Sequence, residues 1–489
     1  MRTVGRNERR SGPRSNISEV IPFISPKIST ALEPYVCLIS DPIFAVIEKC
    51  LDNRAASCLV VDDDQHYLGR VTLDGLRKAV VAGNLNDSRD ISRLVQPDTD
   101  DSGQSLIAHK DPQGKLVGVA LNRDHCFVHI ARPDLDHNEF RAVLDAFLSS
   151  WISSRGPHIE NFERSFAKFL SLDHAIAVSN GTTALHLALL GVGIGPGDEV
   201  IVPDLTFAAT INAVIHAGAT PVLVDIDPQS WTLSIESVAA ALTPRTKAII
   251  PVHLYGRPAE MDGLLRLARS RGLRIIEDCA EAHGAAYNGT MVGAFGDVAC
   301  FSFFANKLIT TGEGGICATN CAETAAVIRE LRDHGQAPGR YYWQNRVGYN
   351  YRMTNLQAAI GCQQLAKIDR TIARNLKLER RYRERLSGLP GIVFPPPLSA
   401  EFDPVIWLVS VLVPADKRAA LMAQADRAGI EVRPFFNSLS EMPPYRKYAR
   451  SCPHSLALSH RGLNLPTSAA VDATIIDRLG RVFETVLTE

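Results

Sequence analysis

The run Phe301-Ser-Phe-Phe-Ala-Asn-Lys-Leu-Ile-Thr-Thr-Gly-Glu-Gly-Gly carries an apolar segment into Lys307 and then into a glycine-rich turn. A lysine partly desolvated in such a place loses some of its preference for the charged form. The neutral amine it can then supply is what Schiff-base formation with an aldehyde requires. Read alone, the same lysine could mark a strand end that points into water. Further segments bear on that choice. In Ala175-Ile-Ala-Val-Ser-Asn-Gly-Thr-Thr-Ala-Leu-His, Gly181 and Thr182 lie between a strand and a helix. Free backbone N–H groups and the positive end of a helix dipole make a phosphate seat there, although such residues are also ordinary helix caps. Asp278 ends the apolar strand Leu273-Arg-Ile-Ile-Glu-Asp, at the carboxyl edge where open α/β sheets bind ligands. A carboxylate there can keep a pyridine nitrogen protonated, or it can cap the next helix. Phe207, in Pro203-Asp-Leu-Thr-Phe-Ala-Ala-Thr, could stack on a planar ring or fill core. Ser302 could give a hydroxyl to a phosphate.

These features make one kit: phosphate seat, stacking aromatic, carboxylate for a ring nitrogen, and Schiff-base lysine, in that order. Pyridoxal 5′-phosphate needs all four, and their assembly by chance on successive strand ends is far rarer than any single coincidence.

The elements that must position them follow from pattern. From about residue 130, strands alternate with helices of ten or more residues, which predicts a parallel or mixed sheet covered by helices. Strands are expected near 199–203, 221–225, 248–253, 273–277 and 298–304, with helices over 136–150 and 182–191. A large domain is expected over 130–390 and a smaller C-terminal α/β domain over 391–489. Residues 1–30 are polar and expected to be poorly ordered. Residues 31–127 form a small α/β module, with helices over 41–53 and 73–81 and strands over 57–62, 67–72, 104–109 and 115–121; residues 87–104 read as a linker.

The 489 residues include 46% hydrophobic and 21% charged, with a formal net charge of −1. That balance gives no nucleic-acid footprint. No apolar run reaches membrane-spanning length, and no signal-type segment follows the basic N-terminus, so a cytoplasmic protein is expected. The ten cysteines are scattered without metal-site spacing, which predicts buried reduced thiols rather than a metal site or disulfide framework.

Two resemblances add to this. Leu59-Val-Val-Asp-Asp-Asp-Gln-His-Tyr-Leu-Gly-Arg-Val-Thr and Ile107-Ala-His-Lys-Asp-Pro-Gln-Gly-Lys-Leu-Val-Gly-Val-Ala resemble the halves of a CBS module. That family contacts nucleotides through a Thr and an Asp three residues later. Thr72 is followed by Gly75, and Asp124 is preceded by Leu121, so the module is degenerate and its expected role is packing or assembly. The larger part resembles the DegT/StrS family of nucleotide-sugar aminotransferases, through Trp151-Ile-Ser-Ser-Arg-Gly, Ser179-Asn-Gly-Thr-Thr-Ala-Leu, Gly197-Asp-Glu-Val-Ile-Val-Pro, Val252-His-Leu-Tyr-Gly, Glu277-Asp-Cys-Ala-Glu-Ala-His-Gly, the lysine segment and Gly348-Tyr-Asn-Tyr-Arg-Met-Thr-Asn-Leu-Gln-Ala-Ala. The resemblance implies a fold-type I homodimer that uses pyridoxal 5′-phosphate and passes through pyridoxamine 5′-phosphate. It implies Lys307 as the cofactor lysine and proton shuttle, Asp278 at the pyridine nitrogen and Glu281 near the 3′ hydroxyl. Gly181, Thr182 and Ser302 would hold the phosphate, Phe207 would stack on the ring, and Asn350 would reach the phosphate of the other subunit. His334 and Arg433 are candidates on the substrate side. The reaction implied is amino transfer from L-glutamate to C4 of a nucleotide-linked 4-keto-6-deoxy sugar, GDP-4-keto-6-deoxy-D-mannose first. A UDP-linked sugar or a non-catalytic regulator on the same fold are the alternatives. Lysine at 307, where one branch has histidine, speaks against dehydration.

Overall fold

A computed structural model of the chain describes residues 28–29, 32–53, 55–81, 91–97, 106–121 and 127–489. Most of residues 1–30, Asp124 and much of the 87–104 segment lie outside the described residues. The chain divides into two compact units, Met1–His125 and Cys126–Glu489.

In the first unit, parallel strands Val36–Leu38 and Ser57–Val61 are joined by the helix Ile43–Asp52. Tyr67–Thr72 pairs antiparallel with Ser57–Val61 and leads into the helix Leu73–Val81. A second hairpin, Leu106–Lys110 with Leu116–Leu121, takes Ile28–Ser29 on its free edge. Leu59, Val61, Leu106, Leu116 and Val119 pack into one cluster across the two sheets.

The second unit is built on a seven-stranded sheet. Its strands, in chain order, are β1 His174–Val178, β2 Glu199–Pro203, β3 Thr220–Val224, β4 Thr246–Ile249, β5 Arg274–Asp278, β6 Val298–Ser302 and β7 Gly315–Thr319. Their spatial order is β1-β7-β6-β5-β4-β2-β3, and only β7 runs against its neighbours. Glu199–Pro203 and Val298–Ser302 are buried along their whole length, as strands covered on both faces must be. Helices fill the covering layers, among them α1 Gly181–Gly191 and α2 Ala208–His216. A second core gathers Val409, Val411, Ile430, Leu463, Ile476, Leu479 and Phe483 around the small sheet of Val409–Leu412, Gly462–Leu465 and Arg433–Pro434.

Between these cores, residues 438–455 are latched to the ends of two large-sheet strands. Asp204, just past β2 and fully buried, accepts hydrogen bonds from the Ser438 hydroxyl and from Ser440 N–H (2.7 Å) and Oγ (3.1 Å). Asp225, just past β3, accepts from His454 N–H (2.9 Å) and from Ser455 N–H and Oγ (both 2.8 Å). Leu439 and Tyr445 accordingly belong to the large-sheet core. Among the described residues no helix is long and apolar enough to cross a membrane.

Candidate active site

The sheet's carboxyl edge gathers the residues singled out by sequence. At the end of β1, Asn180 caps α1: its Oδ1 accepts from Thr183 N–H (2.9 Å), and the Thr183 hydroxyl returns to Asn180 N–H (3.2 Å). The first-turn N–H groups of Gly181 and Thr182 are left facing out of the helix. Only glycine fits at 181, because a Cβ there would lie 2.7 Å from Ser302 Cβ. Ser302, buried at the end of β6, therefore sits directly against this helix start.

Asp278 ends β5 with 5% exposure. Its Oδ2 accepts from the Thr210 hydroxyl (2.8 Å) and its Oδ1 from Ala280 N–H (3.2 Å). Thr210 is one turn into α2 and is itself paired with Thr206 (3.1 Å). Burial pushes the Asp278 carboxyl up, while the Thr210 hydroxyl, Ala280 N–H and nearby Lys307 charge pull it down. Among the described residues, no cation pairs directly with it.

Lys307 lies not at the strand end but in the turn after β6. That turn is tied by Lys307 N–H to Phe304 O (2.9 Å), Thr311 N–H to Phe303 O (3.0 Å) and the Thr310 hydroxyl to Phe303 O (2.9 Å). The side chain is folded inward, with 11% exposure, rather than reaching into water. Its Nζ is 3.5 Å from Glu281 Oε1 and 4.0 Å from the centroid of the Trp407 ring. Glu281 is buried, and its Oε2 accepts from Tyr255 N–H (2.9 Å). Burial raises the Glu281 carboxyl and the Lys307 charge opposes that rise.

An aromatic wall closes the group. Trp407 stacks on Tyr255 (6.1 Å, 24°), Tyr255 on Phe436 (5.4 Å, 28°), and Phe436 meets Phe207 (5.6 Å). Phe207 caps α2 and is 57% exposed, which leaves ring surface free. The Trp407 indole N–H donates to Asn306 O (2.6 Å).

The structure thus brings Lys307, Glu281, Asp278, Ser302, Gly181, Thr182 and Phe207 to one edge of the sheet. It does not draw Asn350, His334 or Arg433 into the same set of contacts. Asn350 is exposed and its Oδ1 accepts from Arg352 (3.1 Å). His334 lies exposed on an open depression shared with Arg346 and Val347. Arg433 pairs with Glu431 (2.7 Å). Thr210, Tyr255, Trp407 and Phe436 were not singled out from sequence. Thr210 carried a signal, being one helical turn beyond Phe207; Trp407 and Phe436 carried none.

These residues fit pyridoxal phosphate. The Gly181–Ser302 contact leaves a cradle at a helix start that any Cβ would fill, as phosphate requires. A buried carboxylate with no cation awaits a positive group, and Asn306 Oδ1, beside the lysine, is buried without a partner. A buried lysine next to a carboxylate, on the same sheet edge as a helix-start phosphate seat and an exposed aromatic ring, is the residue set of a pyridoxal-phosphate enzyme.

Comparison with known proteins agrees. Residues 133–484 match the model of the DegT/DnrJ/EryC1/StrS aminotransferase family. The GDP-perosamine synthase of Caulobacter vibrioides is 46% identical over 364 residues, 74% of this chain and 98% of the relative. That of Escherichia coli O157:H7 is 42% identical over 342 residues, 70% and 93% of the two chains. The crystal structure of DesV from S. venezuelae aligns with a TM-score of 0.68 at 37% identity, covering 72% of this chain and 95% of that one. The chain belongs to the DegT/DnrJ/EryC1/StrS family and is a pyridoxal-phosphate-dependent aminotransferase.

Proposed function

We propose that the enzyme transfers the amino group of L-glutamate to C4 of GDP-4-keto-6-deoxy-D-mannose, forming GDP-perosamine. The observation that carries this is likeness to GDP-perosamine synthases at 42% and 46% identity over 93% and 98% of their length, and it is supported by the inward Lys307 beside Glu281.

Bound pyridoxal phosphate supplies a ring that takes up an electron pair from the carbon beside the transferred nitrogen, and it alternates with its pyridoxamine form. The protein's own residues prepare that chemistry. With the cofactor bound, Lys307 Nζ would hold it and would be placed to carry a proton to and from the sugar's C4. Asp278, held by Thr210 and Ala280, keeps the pyridine nitrogen protonated. Glu281 accepts from the 3′ hydroxyl and keeps the amine in place. Gly181 and Thr182 N–H groups and the Ser302 hydroxyl hold the phosphate. Phe207, whose ring is exposed, would lie against one face of the cofactor ring. Because donor and acceptor use one amine site in turn, the exchange is ping-pong, and glutamate leaves as 2-oxoglutarate before the sugar enters.

The working form is proposed to be a homodimer in which Asn350 serves the phosphate bound by the other subunit. His334, beside Arg346, and Arg433, in a half-exposed pair with Glu431, are proposed to face the nucleotide sugar. For the first unit we propose a degenerate CBS-like module, on its strand–helix–strand–strand–helix order and on Thr72 without an acidic residue at 75. Its role would be packing or assembly. Removal of residues 1–127 should then leave turnover intact and change only particle size in solution.

The decisive test is an absorbance titration. L-glutamate should remove the visible band of the bound cofactor, and GDP-4-keto-6-deoxymannose should restore it. Restoration only by a UDP-linked keto sugar would keep the transamination and refute the substrate.

A further inference from the structure

Tyr255 has an unusual backbone for its size. It is the middle residue of the single turn Leu254–Gly256, with φ 53° and ψ 24°, and is 2% exposed. A bulky residue in the left-handed region is an outlier that persists only where its surroundings dictate it. The surroundings here do so. Gly256, with φ +88°, packs so closely that a Cβ would lie 2.1 Å from Val405 O, and its own carbonyl accepts from Val405 N–H (3.0 Å). The Tyr255 hydroxyl accepts from Phe436 N–H (3.0 Å).

The outcome of this turn is felt at Lys307. With Tyr255 left-handed, its N–H reaches Glu281 Oε2 (2.9 Å), which leaves Oε1 turned to Lys307 Nζ (3.5 Å). The same residue's ring stacks on Trp407, whose ring lies under Nζ. Both side chains that hold the lysine amine are thus held in turn by Tyr255, one through its backbone and one through its ring. An extended backbone at 255 would swing the N–H away from Glu281 and break both supports at once.

We propose that Tyr255 is a positioning residue for the Lys307 amine, its strained turn fixing Glu281 and its ring fixing Trp407 so that Nζ rests between a carboxylate and an aromatic face. The hydroxyl is engaged by the Phe436 backbone and the Asn464 side chain, whereas it is the ring that stacks on Trp407, so the ring is the part assigned the effect on the lysine. This rests on Lys307 being the reacting amine. Without the ring, Trp407 is free to move off and Nζ loses its fixed place between the carboxylate and the aromatic face.

The test reads the amine directly. The full-length chain freed of cofactor is treated with trinitrobenzenesulfonate, which reacts with neutral amines, and modified Lys307 is quantified by peptide mass spectrometry. The ratio of initial rates at about pH 7 and about pH 10.5 separates protonation from access. Tyr255→Leu should change that ratio about threefold or more, because it releases both the carboxylate and the ring that face Nζ. Tyr255→Phe should match the parent chain. In the loaded enzyme, Tyr255→Leu should lower kcat with little change in KM for the sugar. A merely structural role would lower the melting temperature and leave the ratio alone. If Tyr255→Leu is not recovered folded, Tyr255→Gly, which relieves the left-handed backbone, takes its place. A ratio unchanged in the ring-less variant, or moved equally in Tyr255→Phe, overturns the proposal. Failure of the underlying reading would look different: the parent chain itself would develop no visible band with pyridoxal phosphate.

Discussion

Replacing Thr210 by valine removes one hydroxyl and little else, and its consequences can be worked out from two contacts. The Thr210 hydroxyl is fully buried and donates to Asp278 Oδ2 at 2.8 Å. A hydrogen bond to a buried charged acceptor contributes about 1.5–3 kcal/mol, and an acceptor left without it costs a similar amount. Losing that bond should push the Asp278 carboxyl further up, because the Thr210 hydroxyl is one of the groups that holds it down. Asp278 already sits above its ordinary range in the folded chain, because burial outweighs its hydrogen bonds. The folded protein therefore binds this proton more tightly than the unfolded one does, and the ionised carboxylate opposes folding as pH rises. The penalty of Thr210→Val should accordingly be largest at neutral and higher pH and should fade as pH drops through the folded carboxyl's midpoint. Cofactor affinity should fall by roughly ten- to a hundredfold near pH 7, since each 1.4 kcal/mol is a factor of ten. The assays are urea unfolding of the cofactor-free chain across pH and an absorbance titration with pyridoxal phosphate. Thr210→Ser, which keeps the hydroxyl, should recover most of both losses. A Thr210→Val penalty that is the same at acid and neutral pH, with unchanged cofactor affinity, would refute the assignment of this hydroxyl to Asp278.

Lys307→Ala should still bind the cofactor through the phosphate seat, Phe207 and Asp278, yet give no repeated turnover; multiple product equivalents per site would show the lysine to be dispensable. Gly181→Ala places a methyl 2.7 Å from Ser302 Cβ, and overpacking of about 1–3 kcal/mol should weaken cofactor binding at least several-fold in the same titration, with the far-UV spectrum unchanged. His283, buried against Phe301 and Phe303, is pushed down by burial to about 3. A depressed histidine stabilises the fold above its unfolded value and loses that contribution as pH falls from about 6.5 towards 3, by roughly 1.4 kcal/mol per pH unit. His283→Leu should flatten the acid side of the urea-midpoint profile; a profile as steep as the parent's would assign the acid sensitivity elsewhere.

Much of the site was legible because it is local. Gly181, Asp278 and Ser302 each lie at or just beyond the end of an apolar run, and the sheet delivers all three to one edge. The lysine's surroundings were not legible. Trp407 is one hundred positions from Lys307, and Tyr255 stands in a turn whose left-handed backbone no propensity suggests. Such contacts are fixed by packing between layers, which sequence pattern does not encode at single positions. Pattern also missed β7, because Gly315–Thr319 follows the glycine-rich turn and reads as its continuation. The strand's antiparallel course is set by the tight return after Lys307, not by its own residues.

The two carboxylate latches also determine where this part of the molecule can bend. Ser438–Ser455 is fastened at one end by Asp204 and at the other by Asp225, so it travels with the large sheet although it is flanked in sequence by strands of the small one. Phe436 stands immediately outside the fastened stretch, pressed on Phe207 and Tyr255. The chain enters this stretch at Phe436–Ser438 and leaves it after Ser455, so any swing of the C-terminal layer would strain both ends, the first of which carries the Phe436 ring pressed on Phe207 and Tyr255. A shift of the C-terminal layer and the packing of Phe436 on Phe207 are in this way mechanically linked.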